Sequence, residues 1–163
     1  IDVLILNHGR YDRIDARSLD YAHLRRTMST NFEGSFLIWE SVKSSLRNDA
    51  RICVIGSQLG TRGSPHGADY SASKAALALW ARSLAQAVGS EGKRVNIIAP
   101  GFVDTDILAG DSPEKRASRI EEVPLKRIGT PDDIAETVSY LVSDDAKYVT
   151  GVVVHVNGGL YLP

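Results

Sequence analysis

Apolar positions fall into two patterns along the 163 residues. Four short runs are nearly continuous: "DVLIL" (2–6), "RICVI" (51–55), "RVNIIA" (94–99) and "VVVHV" (152–156). Runs of this length and β-branched content predict strands covered on both faces, as in a parallel sheet. Between them the period changes. Leu24, Met28, Phe32, Phe36, Trp39, Val42 and Leu46 recur every three or four residues, predicting a helix within 18–46. Ala76, Leu77, Trp80, Leu84 and Val88 do the same within 70–88. Ser112-Pro113 and Thr130-Pro131 each place a capping side chain before a proline, which marks two further helix starts. Asp132 and Asp133 follow in a first turn, where the helix dipole favours acids. The order β-α-β-α-β-α-α-β predicts one α/β domain over 1–163: three layers, a parallel sheet with helices on both faces. The first run opens the chain, so its outer edge is expected to be a bare apolar ladder.

Composition narrows the function classes. Lys plus Arg number 19 and Asp plus Glu 20, a net charge of −1, so no basic field is available for nucleic acid or an anionic membrane. The apolar runs are too short to span a bilayer. "IDVLILNHG" lacks the basic leader and cleavage site of a signal peptide. A single cysteine, Cys53, excludes an internal disulfide and reads as a buried small hydrophobe. A cytoplasmic location is the expectation. The histidines at 8, 23, 66 and 155 have no metal-ligand spacing, so no metal is expected.

The stretch "GSQLGTRGSPHGADYSASKAAL" (56–77) carries the chemistry. Ser57 stands at the carboxyl end of the second strand, the end at which open α/β sheets bind ligands. Tyr70 and Lys74 are four residues apart on a helix and so share a face. A phenol titrates near pH 10. A cation about 4 Å away is worth roughly 4 kcal/mol at an effective dielectric near 20, or about three pKa units. The expectation is a tyrosine tuned toward neutrality for proton exchange with an alcohol or carbonyl oxygen. The small residues Ser71, Ala72, Ser73, Ala75 and Ala76 leave room for something bulky against that helix. "GSQLGTRG" (56–63) follows a strand but fits neither phosphate-loop pattern, and is read as lining the substrate pocket.

Ser57 with Tyr70-Ser71-Ala72-Ser73-Lys74 resembles the serine and Y-x-x-x-K signature of the short-chain dehydrogenase/reductase family. Other stretches resemble it in order: "LNHG" (6–9), "TNFEGSF" (30–36), "APGFVDTDI" (99–107), "RIGTPDDIAETVSYLVSDDAKYVTG" (127–151) and "VNGG" (156–159). The resemblance covers essentially the whole chain. It implies a Rossmann-type sheet, the C-terminal portion of a doubly wound fold, and hydride exchange between an alcohol and a ketone or aldehyde with NAD or NADP. It implies roles for four catalytic residues. Tyr70 is the acid/base, Lys74 lowers its pKa and bonds the nicotinamide ribose, Ser57 polarises the substrate oxygen, and Asn31 holds a relay water. It also implies cofactor contacts at Asn7, Gly9, Tyr70, Lys74, Pro100, Gly101, Val103 and Thr105, the last two fastening the carboxamide. The family has asparagine where Leu6 stands and alanine where His8 stands, and His8 reads as a packed or capping residue.

The family's glycine-rich T-G-x-x-x-G-x-G turn and its cofactor-selecting residue are not among these residues. The resemblance therefore covers the chemistry half of the fold and not the phosphate-binding half, and the 163 residues alone are not expected to be self-sufficient. The favoured reading is a small-ketone or 3-oxoacyl reductase, forming a homodimer or homotetramer through helices 18–46 and 70–88. The segment 104–125 is expected to cover the substrate. The competing reading is a non-catalytic oligomerisation or scaffold fragment that needs a companion chain.

Overall fold

In the computed structural model, which describes residues 1–163, four parallel strands lie side by side in chain order: β1 (Val3–Leu6), β2 (Arg51–Ile55), β3 (Arg94–Pro100) and β4 (Val153–Val156). Leu4 pairs with Ile52, Ile52 with Val95, and Ile98 with Val154. Successive side chains of a strand point to opposite faces, and both faces here are covered. Ile52, Val54, Val95 and Ile97 join one core with Leu77, Ala81, Ala85 and Val88 of helix α4 (Ala68–Val88). Cys53 and Ile98, one position out of step, join Leu141 of helix α6 (Pro131–Val142) in the other. That is why the strands read as continuous apolar runs rather than alternating ones.

The helix expected within 18–46 begins at α1 (Tyr21–Met28), capped by Asp20, whose carboxylate accepts from the His23 N–H at 2.8 Å. It continues through a π-helical turn, Ser29–Glu33, into α2 (Gly34–Val42) and a short 3-10 turn. The π turn was not expected. It accommodates one residue more than an α-turn and places Asn31 on the buried side. A second difference is the short helix α3 (Leu59–Arg62), inside what the sequence reads as a loop. It lies against α4 at Gly60, where an added Cβ would come within 2.9 Å of the Lys74 backbone. α4 itself starts two residues before the predicted 70. Helix α5 (Pro113–Glu122) and α6 start at the predicted prolines, and at α6 Thr130 and Asp133 form a reciprocal capping box.

β1 is an edge strand, and Ile1, Val3 and Ile5 are exposed along it. Trp80 is contacted edge-on by Phe32, Phe36 and Trp39, so the two tryptophans pack on each other rather than facing outward. The apolar side chains left exposed on α2 and α4 are Phe36, Leu37, Ile38 and Leu79. No helix is long and apolar enough to cross a membrane.

Candidate active site

The carboxyl ends of β1, β2 and β3 open into one cavity of about 420 Å³. Asn7 and Gly9 follow β1, Ser57 follows β2, and Gly101, Val103 and Thr105 follow Pro100 at the end of β3; all seven line it. α4 contributes Tyr70 and Lys74 from its first two turns. Asn31 alone of the predicted site residues is set back from the wall, fully buried.

Asn31 ties the site's floor together. Its side-chain oxygen accepts from the Arg10 N–H at 2.8 Å, and its amide donates to the Arg10 carbonyl and the Ser73 hydroxyl, each at 3.0 Å. The loop after β1 is thereby fastened to α4, one residue from Lys74. Substituting Asn31→Ala removes three hydrogen bonds and leaves buried partners unpaired. It is expected to cost about 2–4 kcal/mol, read from chemical denaturation, with near-unchanged stability the contrary result.

Lys74 is buried, and its ammonium donates to the Ile55 carbonyl at 2.8 Å. Its Nζ lies 5.8 Å from the centre of the Tyr70 ring. Gly9 makes room for it: a Cβ there would come within 3.2 Å of Nζ. Loss of hydration lowers the Lys74 pKa from 10.5 to about 8. Tyr70 departs from the sequence expectation. Burial raises its phenol above the ordinary value; the neighbouring Ser57 hydroxyl lowers it and Tyr11 raises it further, and neither reverses the sign. No downward pull from Lys74 offsets the loss of hydration at the phenol, and the ammonium is itself easily neutralised. Ser57 accepts the Leu59 N–H on its oxygen at 3.1 Å, which fixes its side chain at the mouth of α3.

On the β3 side, Gly129 N–H donates to the Phe102 carbonyl and Asp104 N–H to the Gly129 carbonyl, both at 2.9 Å. This bridge flanks Val103 and leaves its own N–H without a partner in the chain, while its carbonyl accepts the Thr105 hydroxyl at 3.4 Å. Gly101 is crowded, since a Cβ would fall 2.8 Å from the Asn157 Cα. That approach locks the Pro100-Gly101 turn to the end of β4.

Several lining residues were not singled out from the sequence. Tyr11 packs against Tyr70 with ring centres 4.7 Å apart and planes tilted by 50°, and its hydroxyl donates to the His66 carbonyl at 3.0 Å. Gly67 is what admits it, because a Cβ there would lie 2.5 Å from the Tyr11 ring. Gln58 is buried and accepts from Asn157 at 3.2 Å. His8 is within 3.3 Å of the Ser35 hydroxyl, in keeping with a packed role. Cys53 is fully buried, with its thiol pushed up to about 12 by loss of hydration. Thr105, Ile107, Leu108, Lys115, Arg119 and Glu122 bring the segment 104–125 over the cavity, as expected.

Known proteins share this arrangement of elements. A family model described as Enoyl-(Acyl carrier protein) reductase matches residues 1–161. 3-oxoacyl-(acyl-carrier-protein) reductase FabG of Escherichia coli is 38% identical over 165 aligned residues, covering 99% of this chain and 67% of that protein. A short-chain dehydrogenase/reductase from Brucella melitensis, titled glucose/ribitol dehydrogenase, superposes with a TM-score of 0.95 at 31% identity, over 100% of this chain and 66% of that one. A blue fluorescent protein from a metagenomic library, solved with NADPH, superposes with a TM-score of 0.93 at 32% identity, over 99% of this chain and 66% of that one. The chain thus spans about two thirds of the length of the relatives it matches.

Proposed function

The chain belongs to the short-chain dehydrogenase/reductase family, and from that premise we propose that it carries the proton-transfer half of an NAD(P)-dependent alcohol–carbonyl oxidoreductase. The observation that carries the reading is the convergence of Ser57, Tyr70 and Lys74 with the Pro100–Thr105 turn around one cavity at the carboxyl edge of the sheet. NADP is the better supported cofactor, since a relative was solved with NADPH and an angucycline C-6 ketoreductase, 28% identical, with NADP. The residues present fit a nicotinamide. The unpartnered Val103 N–H and the Thr105 hydroxyl, from residues lining the cavity, would hold the carboxamide, and Lys74, beside Gly9, would hold a ribose hydroxyl. When bound, the nicotinamide supplies the hydride.

The chain's own groups supply the proton and its geometry. Tyr70, held above its ordinary pKa, keeps its proton through the neutral range and donates it to the carbonyl oxygen as that oxygen gains charge. Ser57 places a second hydroxyl beside the same oxygen. Lys74, with a pKa near 8, takes up or passes on the proton that Tyr70 exchanges, and Asn31 keeps the loop and helix that flank it in register. A small-ketone or 3-oxoacyl substrate is the class proposed. The test is oxidation of NADPH, and of NADH in parallel, by the purified protein over a panel of ketones and 3-oxoacyl thioesters. Absence of turnover with any of them, in preparations that bind cofactor, counts against the reading.

Assembly is proposed through α2 and α4, whose exposed Phe36, Leu37, Ile38 and Leu79 need cover. Light scattering is expected to give a dimer or tetramer, and Leu37→Glu with Leu79→Glu is expected to shift it to monomer. A monodisperse parent monomer at micromolar concentration contradicts the interface.

A further inference from the structure

The cavity's charge does not match the chain's. The protein as a whole is nearly neutral. Yet five cationic side chains line the cavity, Arg13, Arg62, Lys74, Lys115 and Arg119, against a single carboxylate, Glu122. None of Arg13, Arg62 and Lys115 has a carboxylate at ion-pair distance. Only Arg119 does. It grips both oxygens of Asp111 while its guanidinium lies over the Phe102 ring, 4.4 Å from the centre. Arg13, from the loop after β1, and Lys115, from α5, line the same cavity. Asp111 thus neutralises Arg119 alone and leaves Arg13 and Lys115 as unpaired cations on the cavity wall. Lys115 is only half-exposed there.

We infer that the substrate carries an anionic group, a carboxylate or phosphate, held by Arg13 and Lys115 at the cavity mouth while its carbonyl reaches Ser57 and Tyr70. This rests on the oxidoreductase reading and deepens it. Arg13 is exposed and Lys115 half-exposed, so a bound anion gains charge-assisted hydrogen bonds from them rather than relief of a buried charge. Bidentate guanidinium and point-like ammonium donors suit carboxylate and phosphate oxygens. Arg119, neutralised by Asp111 and stacked on Phe102, holds the group of charges in place rather than supplying a free one.

The experiment compares 4-oxopentanoate with its methyl ester, which differ in one charge, in the parent and in the R13Q/K115Q double variant. The parent is expected to prefer the acid by at least about tenfold in kcat/KM, the size of one lost charged hydrogen bond. The preference is expected to collapse toward unity in the double variant and to weaken with salt. Equal use of acid and ester by the parent overturns the inference and leaves the oxidoreductase reading standing. If neither ketone turns over, binding decides. Succinate and inorganic phosphate are titrated into parent and variant by calorimetry, and equal or absent binding overturns the inference. The same variant is titrated with NADPH and NADH. A matching loss there assigns the charges to the cofactor's phosphates and overturns it too. So does a rate loss confined to an acyl thioester on an acidic carrier protein.

Discussion

Tyr70→Phe is expected to lower ketone turnover by about 10²–10⁴-fold, the usual share of a positioned acid or base, while leaving the fold intact. The ring is what packs: its centre lies 4.7 Å from that of Tyr11 in a tilted contact, and phenylalanine keeps it. The hydroxyl is what reacts. Its pKa is raised by burial, so at neutral pH it holds a proton ready to give, which favours the reductive direction. The rate of reduction is accordingly expected to be flat through neutrality and to fall only at alkaline pH. Single-turnover rates with and without the substitution, alongside circular dichroism and cofactor binding, separate chemistry from folding. Turnover of the variant within a few-fold of the parent removes Tyr70 from the mechanism.

How much of this was legible in the sequence depends on what each residue answers to. The four strands were legible because both sheet faces are buried, so that Ile52, Cys53 and Val54 had all to be apolar although they enter two different cores. Helix starts were legible where local chemistry sets them, as at Thr130-Pro131 with Asp133. The π turn was not singled out, yet its trace was present. Leu24, Met28, Phe32 and Phe36 follow one another at strict intervals of four. In an unbroken α-helix such a row drifts by about 40° at each step; across the π turn it is the neighbouring row Thr27, Asn31 and Ser35 that is buried, while Phe36 ends exposed.

The site divided along a similar line. Ser57, Tyr70 and Lys74 were legible because two of them are linked by a helical interval and the third ends an apolar run. Tyr11 was not: it reaches Tyr70 across 59 positions of sequence, and only the bare backbone of Gly67 lets it lie there. The sign of the Tyr70 shift was likewise out of reach. A four-residue interval gives proximity, but it does not say that the Lys74 ammonium turns to the Ile55 carbonyl or how far both groups lose water.

Lys74→Met is expected to make the protein more stable and to remove a pH dependence that the parent shows. In the folded chain Lys74 titrates at about 8 instead of 10.5 because burial penalises its charge. Below about pH 8 both folded and unfolded chains carry the proton, and the folded state bears the full cost, about 3 kcal/mol for a depression of that size. Between about 8 and 10.5 the unfolded chain binds more protons than the folded one, so stability rises with pH. Cys53 acts the other way, since its raised pKa gives stability that is intact below 9 and lost as the pH climbs toward about 12. Tyr70, raised above 10, likewise loses its contribution only above that range. The clean window is therefore pH 8 to 9. Methionine has similar length and no charge to desolvate, and gives up only the hydrogen bond to the Ile55 carbonyl. Urea denaturation of both proteins at pH 7, 8 and 9 is expected to show the variant ahead by 1–3 kcal/mol at pH 7, with its lead shrinking as the parent gains between 8 and 9. Parallel pH profiles for the two proteins contradict the assignment. A variant that is more stable yet inactive identifies Lys74 as a charge retained for chemistry at the expense of the fold.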